Sequence, residues 1–184
     1  QHNMEYVKID GQFPKFTRCA VTLGKFDGIH RGHRKLIQTI LDRKKEYGEL
    51  AVVMAFVSDR QTILTSEERR GLLEKMGVDV LLECPLNEQI RHMKADVFIR
   101  QILKGDLQAA CVVVGEDFRF GYERKGSPEL LQRLSEKYEY DTIVISKEME
   151  GSRKISSTYI REELKKGNME KITDLLGNPF FTTG

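Results

Sequence analysis

The stretch CAVTLGKFDGIHRGHRKLI, residues 19–37, decides the fold. It opens on an apolar run, CAVTLGKF (19–26), of the kind expected for a parallel strand covered on both faces. It closes on a helical pattern. Leu36, Ile37, Ile40 and Leu41 form an apolar stripe there, and Arg34, Lys35, Asp42 and Arg43 are left to face water. Between the two, Gly24, Gly28 and Gly32 permit a tight turn and close approach of backbone to a ligand. The helix is expected to start around Arg31 or Gly32, so its free N–H groups point at the space beyond the strand end, where an anion is favoured. His30 and His33 are three apart, which puts both imidazoles on one side of the first turn, where either donates to a phosphate. A structural or solvated role is the ordinary alternative for a histidine here. A transition-metal site is the rival use of the pair; it requires a third ligand, and Asp27 is the one local candidate. The glycines form neither a dinucleotide GxGxxG pattern nor a GxxxxGKS/T loop, and Lys25 lies within reach of the ligand without phosphate-loop spacing.

The same alternation continues along the chain. Apolar runs recur at LAVVMAF (50–56), VDVLLE (78–83), AACVVVG (109–115) and DTIVIS (141–146). Thr65 and Glu68 are spaced for a capping box ahead of Leu72, Leu73 and Met76, with Gly77 as the stop. A third helix is expected over 94–104, with Val97, Phe98 and Ile102 inward. Ser127-Pro128 combines a capping hydroxyl with proline at the first helical position, and Leu130, Leu131 and Leu134 follow as the core stripe. Two short helices are expected over 158–166 and 169–176. Five apolar strands separated by helices predict an α/β fold, a doubly wound and mostly parallel sheet in one domain over 1–184, with ligands gathered beyond the carboxyl ends of the strands.

Composition narrows the function classes. Thirty basic and 28 acidic side chains give a net charge of +2, without the concentrated basic surface of a nucleic-acid-binding protein. No apolar run approaches the roughly 18 residues of a membrane helix, and no signal-peptide pattern is present, so neither nucleic acid nor membrane is expected as a partner. Cys19, Cys84 and Cys111 match no zinc or CxxC spacing. They read as free, buried thiols of a reducing compartment, the cytoplasm.

Two later loops complete a candidate site. GEDFRFGYERKG (115–126) follows the fourth apolar run; its alternation places Phe118 and Phe120 on one side and Asp117 and Arg119 on the other. Core packing of the rings and stacking on a planar ligand are both compatible with that pattern. Tyr122, Glu123, Arg124 and Lys125 read as a solvated rim, with contact to substrate as the alternative. GSRKISSTYIRE (151–162) carries Ser156, Ser157 and Thr158 at a helix entry, with Arg161 three residues beyond Thr158 on the same side. Capping alone, or capping combined with phosphate binding, accounts for these hydroxyls. No cysteine has a histidine placed to activate it and no GxSxG elbow occurs, so chemistry resting on placement and charge stabilisation fits better than covalent catalysis.

HRGH (30–33) resembles the HxGH motif of the nucleotidylyltransferase superfamily, and ISSTYIR (155–161) resembles its second phosphate-binding signature. GEDFRFG (115–121) is similar to the loop typical of the FMN adenylyltransferase module of bacterial FAD synthetases. The likeness runs from about Val21 to Gly184, and LLGNPF (175–180) looks like the segment leading out of that module, with about 177–184 as an outgoing linker. The resemblance implies a Rossmann-like nucleotidylyltransferase fold and transfer of AMP from ATP to FMN, giving FAD and pyrophosphate with Mg2+. It implies that His30 and His33 neutralise the triphosphate while Ser157, Thr158 and Arg161 hold it from the opposite loop. It further implies Asp27 at the phosphate–magnesium centre, Asp117 in the nucleotide loop, and backbone around Gly24 and Phe26 lining the pocket. With Lys25, Gly28, Gly32, Gly115, Phe118, Arg119 and Ser156, these form the expected site.

Two stretches depart from the family pattern. Lys25 stands where relatives commonly carry asparagine, and AFVSDRQTILTSEE (55–68) replaces a proline- and histidine-containing segment on the flavin side. A nucleotidylyltransferase for a different phosphorylated acceptor, or a flavin- or nucleotide-binding protein with weak turnover, remains open on those grounds. A riboflavin kinase domain, or a separate kinase partner, is expected to lie outside this chain.

Overall fold

The computed structural model describes residues 3–26, 31–58 and 66–146. Six strands form one sheet: β1 (Glu5–Lys8), β2 (Cys19–Gly24), β3 (Leu50–Val57), β4 (Val80–Pro85), β5 (Ala109–Gly115) and β6 (Asp141–Ile145). Their order is β1-β4-β3-β2-β5-β6, and every pairing is parallel. The fold is therefore the expected α/β, doubly wound parallel sheet.

The covering of both faces follows from the strand residues. Successive side chains point to opposite faces, so Cys19, Val21 and Leu23 of β2 enter one apolar cluster and Ala20 enters the other. On one face pack α1 (Arg31–Tyr47) and α2 (Ser66–Met76), through Leu36, Ile37, Ile40 and Leu73. The other face receives the wide-turned π-helical segment Phe98–Asp106, through Phe98, Ile99, Ile102 and Leu103, and α5 (Pro128–Tyr138), through Leu131. Short helices α3 (Glu88–Arg91) and α4 (Ala95–Val97) lead into the π segment. Ser127 caps α5 as expected, accepting from the Leu130 amide at 3.1 Å, with Pro128 in the first turn. Gly77 follows α2 at φ +101°, a backbone shape that glycine adopts without steric cost.

Several expectations are corrected. β1 is a sixth strand; its half-exposed EYVK carries too little apolar signal to be read alone and pairs with β4, more than 70 residues away. β2 stops at Gly24, after which Phe26 turns its ring into the core beneath α1. The 94–104 helix starts instead as one short turn, α4, and then widens, with the Leu107 amide reaching the Ile102 carbonyl at 2.9 Å. Phe98 and Ile102 are buried as expected, but Val97 is only half-buried. β4 begins at Val80, because the Val78 amide still bonds back to Leu73 at the end of α2.

Arg43 is the largest correction. It is 3% exposed rather than solvated: Nε and Nη2 donate to Glu49 at 2.8 and 2.7 Å, and Nη1 donates to Asp141 at 3.1 Å. Burial opposes its charge, but the Glu49 bond outweighs burial and holds the guanidinium protonated. The 158–166 and 169–176 helices, and Thr65 of the expected capping box, lie outside the described residues.

All three cysteines are free and buried in strands. Burial pushes the Cys19 and Cys84 thiols up to about 12. At neutral and mildly basic pH both stay as thiols, and the thiolate is the nucleophile. A thiol reagent is therefore expected to label Cys19 and Cys84 only after denaturant is added. Stoichiometric labelling of either in the native protein, read by mass spectrometry, contradicts the buried placement.

Candidate functional site

β2 is the central strand at which the winding reverses. The chain leaves it for β3 and β4 on one side, then crosses back to β5 and β6 on the other. Parallel strands end on the same edge, and the crevice beyond their carboxyl ends at such a reversal is where an open α/β sheet takes its ligand. The buried Thr22 hydroxyl ties this seam by donating to the Val113 carbonyl at 2.9 Å. Gly24 ends β2 and Gly115 ends β5. A side chain at Gly24 would press on the Phe26 ring, with a Cβ 3.3 Å from it, so glycine lets that ring fold under the strand end.

A first cavity of about 330 Å³ opens at this point. Its walls include Gly24 and Lys25 after β2, His33 in the first turn of α1, and Gly115, Asp117 and Arg119 after β5. Leu23, Leu36, Phe118 and Ile145 supply apolar surface. The His33 ring lies against Phe26, centroids 4.8 Å apart, so the core residue fixes the imidazole's lower side.

A second cavity of about 480 Å³ lies beside it, beyond β3 and β4. Phe56, Phe98, Phe118 and Phe120 supply four rings, continuous through contacts at 6.0 Å (Phe56–Phe118), 5.6 Å (Phe118–Phe120) and 5.6 Å (Phe98–Phe120). Lys25, Arg91, Arg119 and Arg124 line the same space. Phe118 is half-buried and Phe120 is 6% exposed, so the alternation read from the sequence resolves into one core ring and one ring shared between core and cavity. Lys25, Phe118, Arg119 and Arg124 border both cavities.

Of the expected site residues, Gly24, Lys25, His33, Gly115, Asp117, Phe118 and Arg119 thus come together around the first cavity. Phe26 does not line it: the ring is 1% exposed, and its carbonyl is taken by Arg69 Nε at 2.8 Å. Gly32 lies within the first turn of α1. His30, Asp27, Gly28, Ser156, Ser157, Thr158 and Arg161 lie outside the described residues. Among the described residues, no group of three or more His, Cys, Asp or Glu side chains is arranged to hold a metal ion.

Sequence reasoning missed the support beneath the loop. Arg69 of α2 is 2% exposed; besides holding Phe26, its Nη1 donates to Glu83 at 2.7 Å. Glu83 also accepts from Ser66 Oγ at 2.8 Å and from Tyr6 Oη at 2.6 Å. One carboxylate therefore joins β1, β4 and α2 to the loop leaving β2. Burial alone would raise the Glu83 carboxyl, but its bonds from Tyr6, Ser66 and Arg69 prevail and hold it below its ordinary 4.5. A signal was present: Arg69 stands four residues before Leu73, on the stripe that α2 buries, and Glu83 interrupts an apolar run.

A family model described as FAD synthetase matches residues 13–159. This chain belongs to the FAD synthetase family. The bifunctional riboflavin kinase/FMN adenylyltransferase of Escherichia coli K12 is 31% identical over 193 residues, covering 100% of this chain and 59% of that protein. The Buchnera aphidicola (Acyrthosiphon pisum) protein of the same name is 33% identical over 178 residues, covering 91% and 57%. The FAD synthetase of Listeria monocytogenes is 30% identical over 182 residues, covering 92% of this chain and 73% of its own length. This chain thus spans about 59% of the length of the bifunctional E. coli relative. A solved Streptococcus pneumoniae structure titled a macrolide-efflux protein superposes with a TM-score of 0.68 at 28% identity, covering 95% of this chain and 62% of that one. Among the described residues of the present chain, no helix is long and apolar enough to cross a membrane.

Replacing Arg69 by Met strands a buried carboxylate, at an expected cost of about 3–5 kcal/mol. Because the folded pKa of Glu83 is depressed, its stabilisation is complete above the ordinary 4.5 and is lost as pH falls through the folded value. The stability gap between wild type and Arg69→Met, measured by urea unfolding, is therefore expected to narrow in acid. A gap that widens as pH falls would refute the assigned role of the pair.

Proposed function

We propose that this FAD synthetase family member transfers AMP from ATP to FMN, releasing pyrophosphate. The observation that carries the reading is the pair of adjoining cavities: one lies at the sheet reversal beside the start of α1, and the other is aromatic and cationic. The first suits the nucleoside triphosphate, whose phosphates are favoured at a helix N-terminus. The second suits a planar aromatic ring bearing a phosphate, since rings stack on phenylalanines and arginines hold phosphate oxygens.

An FMN phosphate oxygen attacks the α-phosphorus of ATP. The bond from that phosphorus to the bridging oxygen breaks, and pyrophosphate leaves. Such chemistry relies on alignment and on stabilising developing charge. His33 donates to the triphosphate, joined in this reading by His30. Ser156, Ser157, Thr158 and Arg161 hold it from the opposite side. Asp27 is the residue proposed to stand near Mg2+, an ion that takes oxygen ligands, usually keeps several waters and neutralises phosphate charge. Gly24, Gly28, Gly32 and Gly115 allow backbone to approach, and Asp117 and Arg119 border the nucleotide. The free buried thiols support a cytoplasmic setting. The kinase activity named for the longer relatives is proposed to reside outside these residues.

Four phenylalanines among four cations favour a flavin over a small aliphatic acceptor, despite the departure at 55–68. The test is an assay containing ATP, FMN and magnesium in which FAD and pyrophosphate are measured together, repeated with other phosphorylated acceptors. Equal amounts of both products are expected, with FMN preferred. Marked preference for a non-flavin acceptor, or tight binding without pyrophosphate, overturns the assignment. His33→Ala is expected to lower kcat by about 10²–10³ while the protein stays folded, by analogy with loss of one transition-state donor. Unchanged turnover in that variant removes His33 from the mechanism.

A further inference from the structure

The loop after β5 holds its two flanking glycines for reasons of space. A Cβ at Gly121 would lie 2.9 Å from Ala95, and one at Gly126 would lie 2.6 Å from the Phe120 carbonyl. Between them, however, Glu123 and Arg124 both have φ of +55°, the left-handed region that glycine occupies freely and other residues avoid. A non-glycine residue persists in such a conformation when the surrounding structure enforces it, and such positions cluster where function uses them. For Glu123 the side chain is accounted for by an ion pair with Lys125 at 3.3 Å.

Arg124 has no such account. Its amide bonds to the Gly121 carbonyl at 3.0 Å, but among the described residues its guanidinium has no hydrogen-bond or ion-pair partner. It borders both cavities. Of the other cations on that shared border, Arg119 donates Nη1 to the carbonyls of Phe118 and Glu116 at 2.8 and 3.3 Å, whereas Lys25 also lacks a partner among the described residues. Among the described residues, two cations without a side-chain partner therefore stand on the border shared by the two cavities.

We propose that Arg124 is a catalytic residue that bridges the two reactants, donating at once to the acceptor phosphate and to the α-phosphate it attacks, with Lys25 beside it. This rests on the transfer reading above. Both reacting groups are anionic, so their approach is opposed until a cation lies between them. A planar guanidinium presents five donors in a fork that serves two phosphates together; an ammonium is a single charged point. The chain accordingly keeps arginine at a backbone position where glycine is the relaxed choice.

That conflict supplies the test. Arg124→Gly, Arg124→Lys and Glu139→Gly are compared for melting temperature, for ATP and FMN binding measured separately, and for steady-state FAD formation. Arg124→Gly is expected to melt at or above the wild-type temperature, to bind each substrate alone within about threefold, and to lose about 100-fold in kcat, the size of a lost transition-state donor. Arg124→Lys is expected to recover less than a tenth of the wild-type rate. Glu139→Gly relieves a left-handed residue at the end of α5, φ +57°, that borders neither cavity, and is expected to retain wild-type turnover. Wild-type kcat in Arg124→Gly, a loss confined to the KM of one substrate, or full rescue by lysine overturns the bridging role while leaving the transfer reading intact. Absence of FAD formation by the wild-type protein overturns both.

Discussion

Arg69 makes the connection on which the placement of the site depends. Its Nε holds the Phe26 carbonyl and its Nη1 holds Glu83, with both side chains nearly excluded from water. A buried ion pair adds little net stability compared with apolar packing, yet breaking it is costly because one charge is left stranded. That asymmetry makes it a strict constraint on geometry. The carbonyl it holds lies two residues beyond Gly24, where the central strand gives way to the loop that leads into α1. Tyr6 and Ser66 complete the carboxylate's partners, so the edge strand β1 and the start of α2 share the same anchor. Beneath His33, the Phe26 ring is thereby fixed from its own backbone.

On that frame the site divides by chemistry. The side toward β5 and β6 offers glycine backbone, a histidine and a helix start; the side toward β3 and β4 offers rings and guanidinium groups. Phe118 borders both, stacked against Phe56 and Phe120 of the second cavity. The loop that supplies this ring also supplies Asp117, Arg119 and Arg124. Its shape is set by Gly121 against Ala95 and by Gly126 against Phe120. Any change that fills either glycine position moves the wall shared by both cavities.

The legible parts of this molecule were those written locally. The runs 50–56, 109–115 and 141–146 could be read as strands because residues buried on both faces leave an unbroken apolar record. Ser127-Pro128 could be read as a helix start because capping involves neighbours only. Gly24, His33 and Gly115 could be placed on one edge of the sheet because they follow strand ends, and they border one cavity. Less legible were residues whose partners are distant. Arg43 looked solvated in a lysine-rich stretch, although its spacing from Leu36 and Ile40 already put it on the buried face; Glu49 and Asp141 make its burial tolerable. Arg91 and Phe56, from segments far apart in the chain, gave no sign that they would share a cavity.

By itself, then, the sequence determined the α/β alternation, the parallel sheet and the passage from a strand ending at Gly24 to a helix with His33 in its first turn, because hydrophobic period, glycine placement and helix polarity act within a few residues. Only the tertiary structure decided that the edge strand β1 belongs to the sheet, that Phe26 gives its carbonyl to Arg69 rather than to a ligand, and that Arg124 stands at the junction of two cavities. Those outcomes depend on pairings between segments far apart in the chain. Their energies come from desolvated charges and close packing, which exist only once the sheet has brought its strand ends to one edge.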